Sequence, residues 1–185
     1  LCPLVRDRFP AIVEDFYRQI LQHEGTRRIL QGPEQVERLK GTLIQWLSEA
    51  FLGPHDAAYY ERRSRIGLVH VRVGLPQAYV FTAMAHIQLH LQSAIQEKIQ
   101  EQPERLRQAL AALVKILNLD LALIAGSYHE AEKYRDLVEF APEMIHSVDR
   151  EGRFVRVNKT EETRLGYSHE EFLSKRLEDL VPPED

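Results

Sequence analysis

Two long helical segments in succession constrain this chain more than any other feature. Residues 75–100 and 103–134 each read as one helix, and each carries more apolar side chains than a single face can hold. The first has Val80, Phe81, Met84, Ile87, Leu89, Leu91 and Ile95. The second has Leu106, Leu110, Leu113, Val114, Ile116, Leu117, Leu119, Leu121 and Ile124. A helix apolar on two faces is buried on two sides. One side belongs to the chain's own core. In a chain of 185 residues the second side is best met by the same helix pair of another copy, which makes a homodimer joined by a four-helix bundle. The fold class is therefore mainly α.

Composition narrows the functions. A net charge of −4 without a basic block gives no footprint for nucleic acid or an anionic membrane surface. No apolar run is read as approaching the roughly 20 residues of a membrane span, and no secretory leader is visible. Cys2 is the only cysteine, which rules out an internal disulfide and a thiolate metal cluster and favours a reducing, cytoplasmic setting. The chain starts at Leu1 rather than methionine, so a fragment of a longer protein is expected.

The front of the chain carries the clearest helical period. Phe9, Ile12, Val13, Phe16, Tyr17, Ile20 and Leu21 recur as one core-facing stripe. Tyr17 lies inside it, so its hydroxyl needs a partner, for which a backbone carbonyl suffices. Residues 24–31 read as a short turn closed by Gly32 and Pro33. Pro33 opens a helix to about residue 51, with Val36, Leu39, Leu43, Trp46, Leu47 and Ala50 inward and Thr42 close to the Leu39 face. Gly53 and Pro54 break it, and Asp56 is placed to cap the next, from about residue 57 through His70. Arg62, Arg63, Arg65 and Arg72 are expected on the solvent side of that helix, either simply hydrated or facing carboxylates.

His70 shares its helix face with Ile66, Gly67, Val73 and Gly74. That face is apolar and has two glycines, so a flat, bulky group could approach the backbone. A neutral imidazole in an apolar wall suits a core histidine bonded to a carbonyl, and it equally suits the axial ligand of a haem iron. Gly74 ends the helix, and Leu75 and Pro76 start the next. His86 and His90, four apart on one helix, could share a metal, but no acid lies at their matching positions and Leu89 and Leu91 flank His90, so they are expected at a surface or interface.

Beyond residue 134 the pattern changes. Residues 144–148 and 153–157 read as two strands around a turn at 149–152. Two short helices follow, split at Gly166 and Tyr167, the second opened by a capping box of Ser168 and Glu171. So few elements do not close a core, and residues 135–185 are expected to be the front part of a second domain.

The run I-G-L-V-H-V-R-V-G-L-P-Q-A-Y, with W-L-S-E-A-F-L-G-P and the F-Y of Phe16 and Tyr17 before it, resembles the sensor globin domain of globin-coupled sensors over residues 1–134. The tail E-F-A-P-E-M-I-H-S-V-D-R-E-G-R-F-V-R-V-N-K, with L-G-Y-S-H-E-E-F downstream, resembles the first half of a PAS domain. The resemblance implies a globin-like helical domain with a haem pocket, followed by a partial α+β PAS domain. It implies haem b, with His70 as iron ligand and Tyr17 as distal hydrogen-bond donor to oxygen or another diatomic gas. Phe16 would pack near the ring, and Leu39 and Thr42 would shape the distal side. Ile66 and Val73, beside His70, complete the cofactor-binding set.

The implied function is a regulatory input module, not an enzyme: gas binding shifts the long helices, which lead into the PAS part and on to an output domain absent here. No catalytic motif for such an output lies in the chain. Two rival readings are a haem-free globin scaffold for dimerisation and a nitric oxide dioxygenase.

Overall fold

The computed structural model describes residues 1–30 and 32–180. The chain divides into two compact units, Leu1–Tyr128 and His129–Asp185. The first is entirely helical among its described residues, the second a short α+β segment.

The first unit opens with α1 (Cys2–Val5) and a 3-10 turn over Arg6–Arg8. It continues through α2 (Phe9–Ile20), α3 (Glu24–Arg27), α4 (Pro33–Leu52), α5 (Ala57–Arg72), α6 (Gln77–Ile99) and α7 (Pro103–Glu139), of which the residues through Tyr128 belong to this unit. Local chemistry sets these limits. Prolines occupy the first turns of α2 and α4, where a missing N–H costs nothing. The carboxylate of Asp56 accepts from the backbone N–H of Tyr59 at 2.9 Å and caps α5. Gly74, with φ of 70°, ends α5 in the left-handed region that only glycine enters freely. The expected turn over 24–31 is helical only through α3, and Gln31 lies outside the described residues.

The apolar stripe of α2 faces inward as its period requires. Phe9, Ile12, Val13 and Tyr17 are buried in one cluster with Trp46 and Leu47 of α4, Met84, Ile87, Leu91 and Ile95 of α6, and Leu113 and Leu117 of α7. One sequence expectation is corrected here: α7 is long and apolar enough, by length and composition, to cross a membrane. The charges in its apolar stretch hid this. Its inward face is packed among the other helices, and its Asp120 is fully buried and ion-paired within the unit.

In the second unit, β1 (His146–Val148) pairs antiparallel with β2 (Phe154–Val157), His146 opposite Val157, with an irregularity after Ser147. Asp149 shapes the turn, its Oδ1 accepting from the N–H groups of Glu151 and Arg153 at 3.0 and 2.8 Å. Then follow α8 (Lys159–Leu165) and α9 (His169–Leu173), the latter opened by the Ser168–Glu171 capping box. Phe154, Val157 and Phe172 form a small centre, while β1 stays exposed along its length. Pro182 and Pro183 fall outside the described residues.

Asn158 holds the start of α8 in place. Its Oδ1 accepts from the N–H of Ile145 at 3.0 Å and of Glu161 at 3.2 Å. Its amide donates to the carbonyls of Val138 at 3.0 Å and Glu143 at 2.9 Å. A fully buried amide is thereby satisfied at both ends.

Candidate functional site

Three helices carry the residues singled out in the sequence. On α2, Tyr17 is buried and Phe16 half-buried, the two rings meeting edge to face with centroids 5.2 Å apart. Burial pushes the Tyr17 phenol up to about 12, so its hydroxyl keeps its proton across the physiological range. On α4, Leu39 is half-buried against the same apolar cluster. Thr42 is exposed, and its hydroxyl donates to the carbonyl of Arg38 at 3.1 Å, as a helical threonine does. On α5, Ile66 packs against the cluster, His70 is half-buried, and Val73 is 48% exposed. Phe16, Tyr17, Leu39 and Ile66 thus come together in one apolar body. His70 lies one turn beyond Ile66, and Thr42 and Val73 lie at the surface.

The His70 ring is the unusual group. Its Nδ1 is buried and has no hydrogen-bond partner. Burial also pulls its pKa below the usual histidine value, which keeps the imidazole neutral and its lone pair available at neutral pH.

The two glycines on the His70 face act differently from their expected common role. A side chain at Gly67 would meet the carbonyl oxygen of Ile124 at 2.5 Å and Cβ of Ser127 at 2.7 Å, so this glycine brings α5 against the backbone of α7. Gly74 has open space around it. Two hydrogen bonds fasten the same contact: Ser127 Oγ donates to the carbonyl of Ser64, and Tyr128 Oη to that of Leu75, each at 2.9 Å.

Arg63 corrects the expectation of a solvent-facing row of arginines. It lies one turn from both Tyr59 and Gly67, on the inward face, and is 1% exposed. Its Nε donates to Asp120 Oδ2 at 3.0 Å, one terminal nitrogen to the carbonyl of Trp46 at 2.9 Å, and the other to Glu49 at 3.3 Å. The guanidinium also lies over the rings of Tyr59 and Trp46, 4.4 and 5.2 Å from their centroids, and Tyr59 bonds Asp120. The sequence signal that could have found this network was Asp120 itself, a lone acid in the apolar run of α7.

A globin-type sensor domain joined to a PAS segment is the class of protein these units define. Residues 1–134 match the protoglobin family model, and the chain belongs to that family; residues 138–185 match the PAS fold. Among solved structures, the first part is similar to the globin domain of a Geobacter sulfurreducens globin-coupled sensor. The two are 31% identical with a TM-score of 0.61, over 69% of this chain and 88% of that one. Among curated proteins, the haem-based aerotactic transducer HemAT of Halobacterium salinarum is 26% identical over 157 residues, 79% of this chain. This chain spans 32% of that transducer's length.

The globin family implies haem. The residues present fit such a group: a neutral, half-buried imidazole with a buried, unpartnered nitrogen has the donor chemistry of an iron ligand, and an apolar cluster stands one turn away.

Proposed function

We propose that residues 1–134 bind haem b and act as the oxygen-sensing input module of a signal-transduction protein, with residues 135–185 forming the front of a PAS domain. The observation that carries this reading is the neutral His70 imidazole with its orphaned buried nitrogen. Haem, when bound, supplies an iron that takes a diatomic gas. His70 would hold that iron through its imidazole. Tyr17, which holds its proton, would donate a hydrogen bond to a polar gas ligand there and so favour oxygen over neutral carbon monoxide by roughly 1–3 kcal/mol. Phe16, Leu39 and Ile66 would give the haem an apolar surround, with Thr42 and Val73 at the surface beside it. The aerotactic role in the name of the archaeal transducer favours oxygen among the gases.

Transmission runs through α5 and α7. The Arg63–Asp120 pair and the close approach at Gly67 fasten these helices, so a displacement of α5 on ligand binding is passed to α7. Such a switch works only through contacts that differ between its two states. Phe81 and Leu89 on α6 and Leu119 on α7 are exposed, which supports a homodimer through these helices. Cys2 is buried and free, which suits a reducing compartment such as the cytoplasm.

The test is the visible absorption spectrum of the haem-reconstituted protein, reduced and then exposed to oxygen, beside His70→Ala and Tyr17→Phe. A stable oxygen complex is expected in the wild type. His70→Ala should lose the wild-type axial ligation, and Tyr17→Phe should release oxygen roughly tenfold faster. A wild type that takes up no haem would leave the globin scaffold as the function, and rapid turnover with an electron donor would favour the dioxygenase.

A further inference from the structure

Helices α2 and α6 bring three metal-ligating side chains to one point. Oδ2 of Asp15 lies 3.2 Å from Nε2 of His86 and 3.1 Å from Nε2 of His90. The three donor atoms all lie within 4.8 Å of one another. The imidazole rings, one helical turn apart, have centroids 4.5 Å apart. Despite this proximity, Nε2 of His86 is buried and makes no hydrogen bond. Two ring nitrogens converge on one carboxylate oxygen, and His86 is not satisfied by it.

The two Asp–His separations fit a coordination shell. Ligand bonds of about 2.0 Å in a tetrahedral arrangement place neighbouring donors about 3.3 Å apart, close to both Asp–His separations. The carboxylate is also held from behind, as the ligands of metal sites are. Arg18 pairs with its Oδ1, and Gln19 donates to its Oδ2 at 2.9 Å. Two imidazoles and one carboxylate form a donor set of borderline softness, which suits Zn2+ over the oxygen-seeking Ca2+ and Mg2+ and over thiolate-seeking Cu+.

We propose that Asp15, His86 and His90 form a Zn2+ site with a fourth position open to water, cross-linking α2 to α6. The site shares no ligand with the residues assigned to haem, although the ring of Phe16, one of those residues, has its centroid 6.1 Å from that of His86. Its existence does not depend on haem binding.

The experiment is a calorimetric titration of the chelator-stripped full chain with Zn2+ alone. It is repeated on His86→Gln, His90→Gln and Asp15→Asn, and on His23→Gln and His129→Gln as surface controls. One Zn2+ per chain is expected in the wild type and both controls. Affinity should fall at least about tenfold in each of the three site variants. Zn2+ should also raise the Tm of the wild type and leave that of His90→Gln unmoved. The His90 side chain is 40% exposed, so its variant keeps the fold, checked by circular dichroism, and decides the matter if His86→Gln fails to fold. No Zn2+ uptake by the wild type, or uptake equal in His90→Gln and Asp15→Asn, overturns the site.

Discussion

Arg63 Nε stands 3.0 Å from Oδ2 of Asp120, with 1% and 0% of the two side chains exposed. This ion pair joins α5, the helix of His70, to α7. Removing one partner leaves the other charge buried alone, which is much costlier than the pair itself is stabilising. We expect Arg63→Met to lower unfolding free energy by about 3–5 kcal/mol in urea at pH 7. The double change Arg63→Met with Asp120→Leu should cost clearly less. Equal losses in the single and double variants would show that packing, and not charge pairing, sets the cost.

The approach of α5 to α7 at Gly67 makes a second test. A Cβ there meets the Ile124 carbonyl at 2.5 Å, a backbone atom that cannot swing away. Gly67→Ala should destabilise by about 1–3 kcal/mol. Gly126, helical, exposed and with nothing within 4 Å of its added Cβ, is the control. Gly126→Ala should stabilise by about 0.4–1 kcal/mol, because alanine loses less backbone freedom in a helix. Thermal unfolding of the two variants side by side reads the difference.

Tyr17 predicts an alkaline loss of stability. Its phenol is raised from 10.0 to about 12 by burial. The folded state therefore holds the proton more tightly than the unfolded state does. The stabilisation is fully present below pH 10 and is lost as pH rises toward 12. The loss should be on the order of 2–3 kcal/mol, smaller by that amount in Tyr17→Phe. Urea midpoints measured from pH 8 to pH 12 would show it, with about half the loss reached by pH 11, and parallel curves for the two proteins would contradict it.

Asn158 tests the second unit. Asn158→Ala removes the cap of α8 and strands the carbonyls of Val138 and Glu143, with an expected cost of about 2–4 kcal/mol. Asn158→Asp keeps the cap acceptor but cannot donate to those carbonyls, so it should rescue little. Amide exchange between residues 145 and 165 is the readout, and wild-type protection in Asn158→Asp would assign the whole effect to the cap.

Much of this architecture was legible because local rules fixed it. The period of α2 settled which side of it is buried, prolines and glycines set most helix limits, and the Asp56 and Ser168 caps formed as their spacing required. The doubly apolar character of α6 and α7 foretold both an inward face and exposed residues such as Leu89 and Leu119. The sequence pattern places the end of α7 at about residue 134, five residues short of Glu139. Polar residues in the last turns carry no periodic signal, yet they continue a helix readily.

Side-chain partners were a different matter. Arg63 reads as a solvated arginine because its neighbours Arg62 and Arg65 are exposed, and only the arrival of Asp120 from α7 and Glu49 from α4 allows its burial. His86 and His90 lacked an acid on their own helix, and Asp15 reaches them from α2. The sequence alone determined the helices, their inward faces and a family resemblance, because these rest on short-range periodicity and on motifs contiguous in the chain. Tertiary structure alone decided which charges pair, which glycine admits a neighbouring backbone and where histidines meet a carboxylate. Those are contacts between residues far apart in sequence, and only the packing of helix on helix sets their distances.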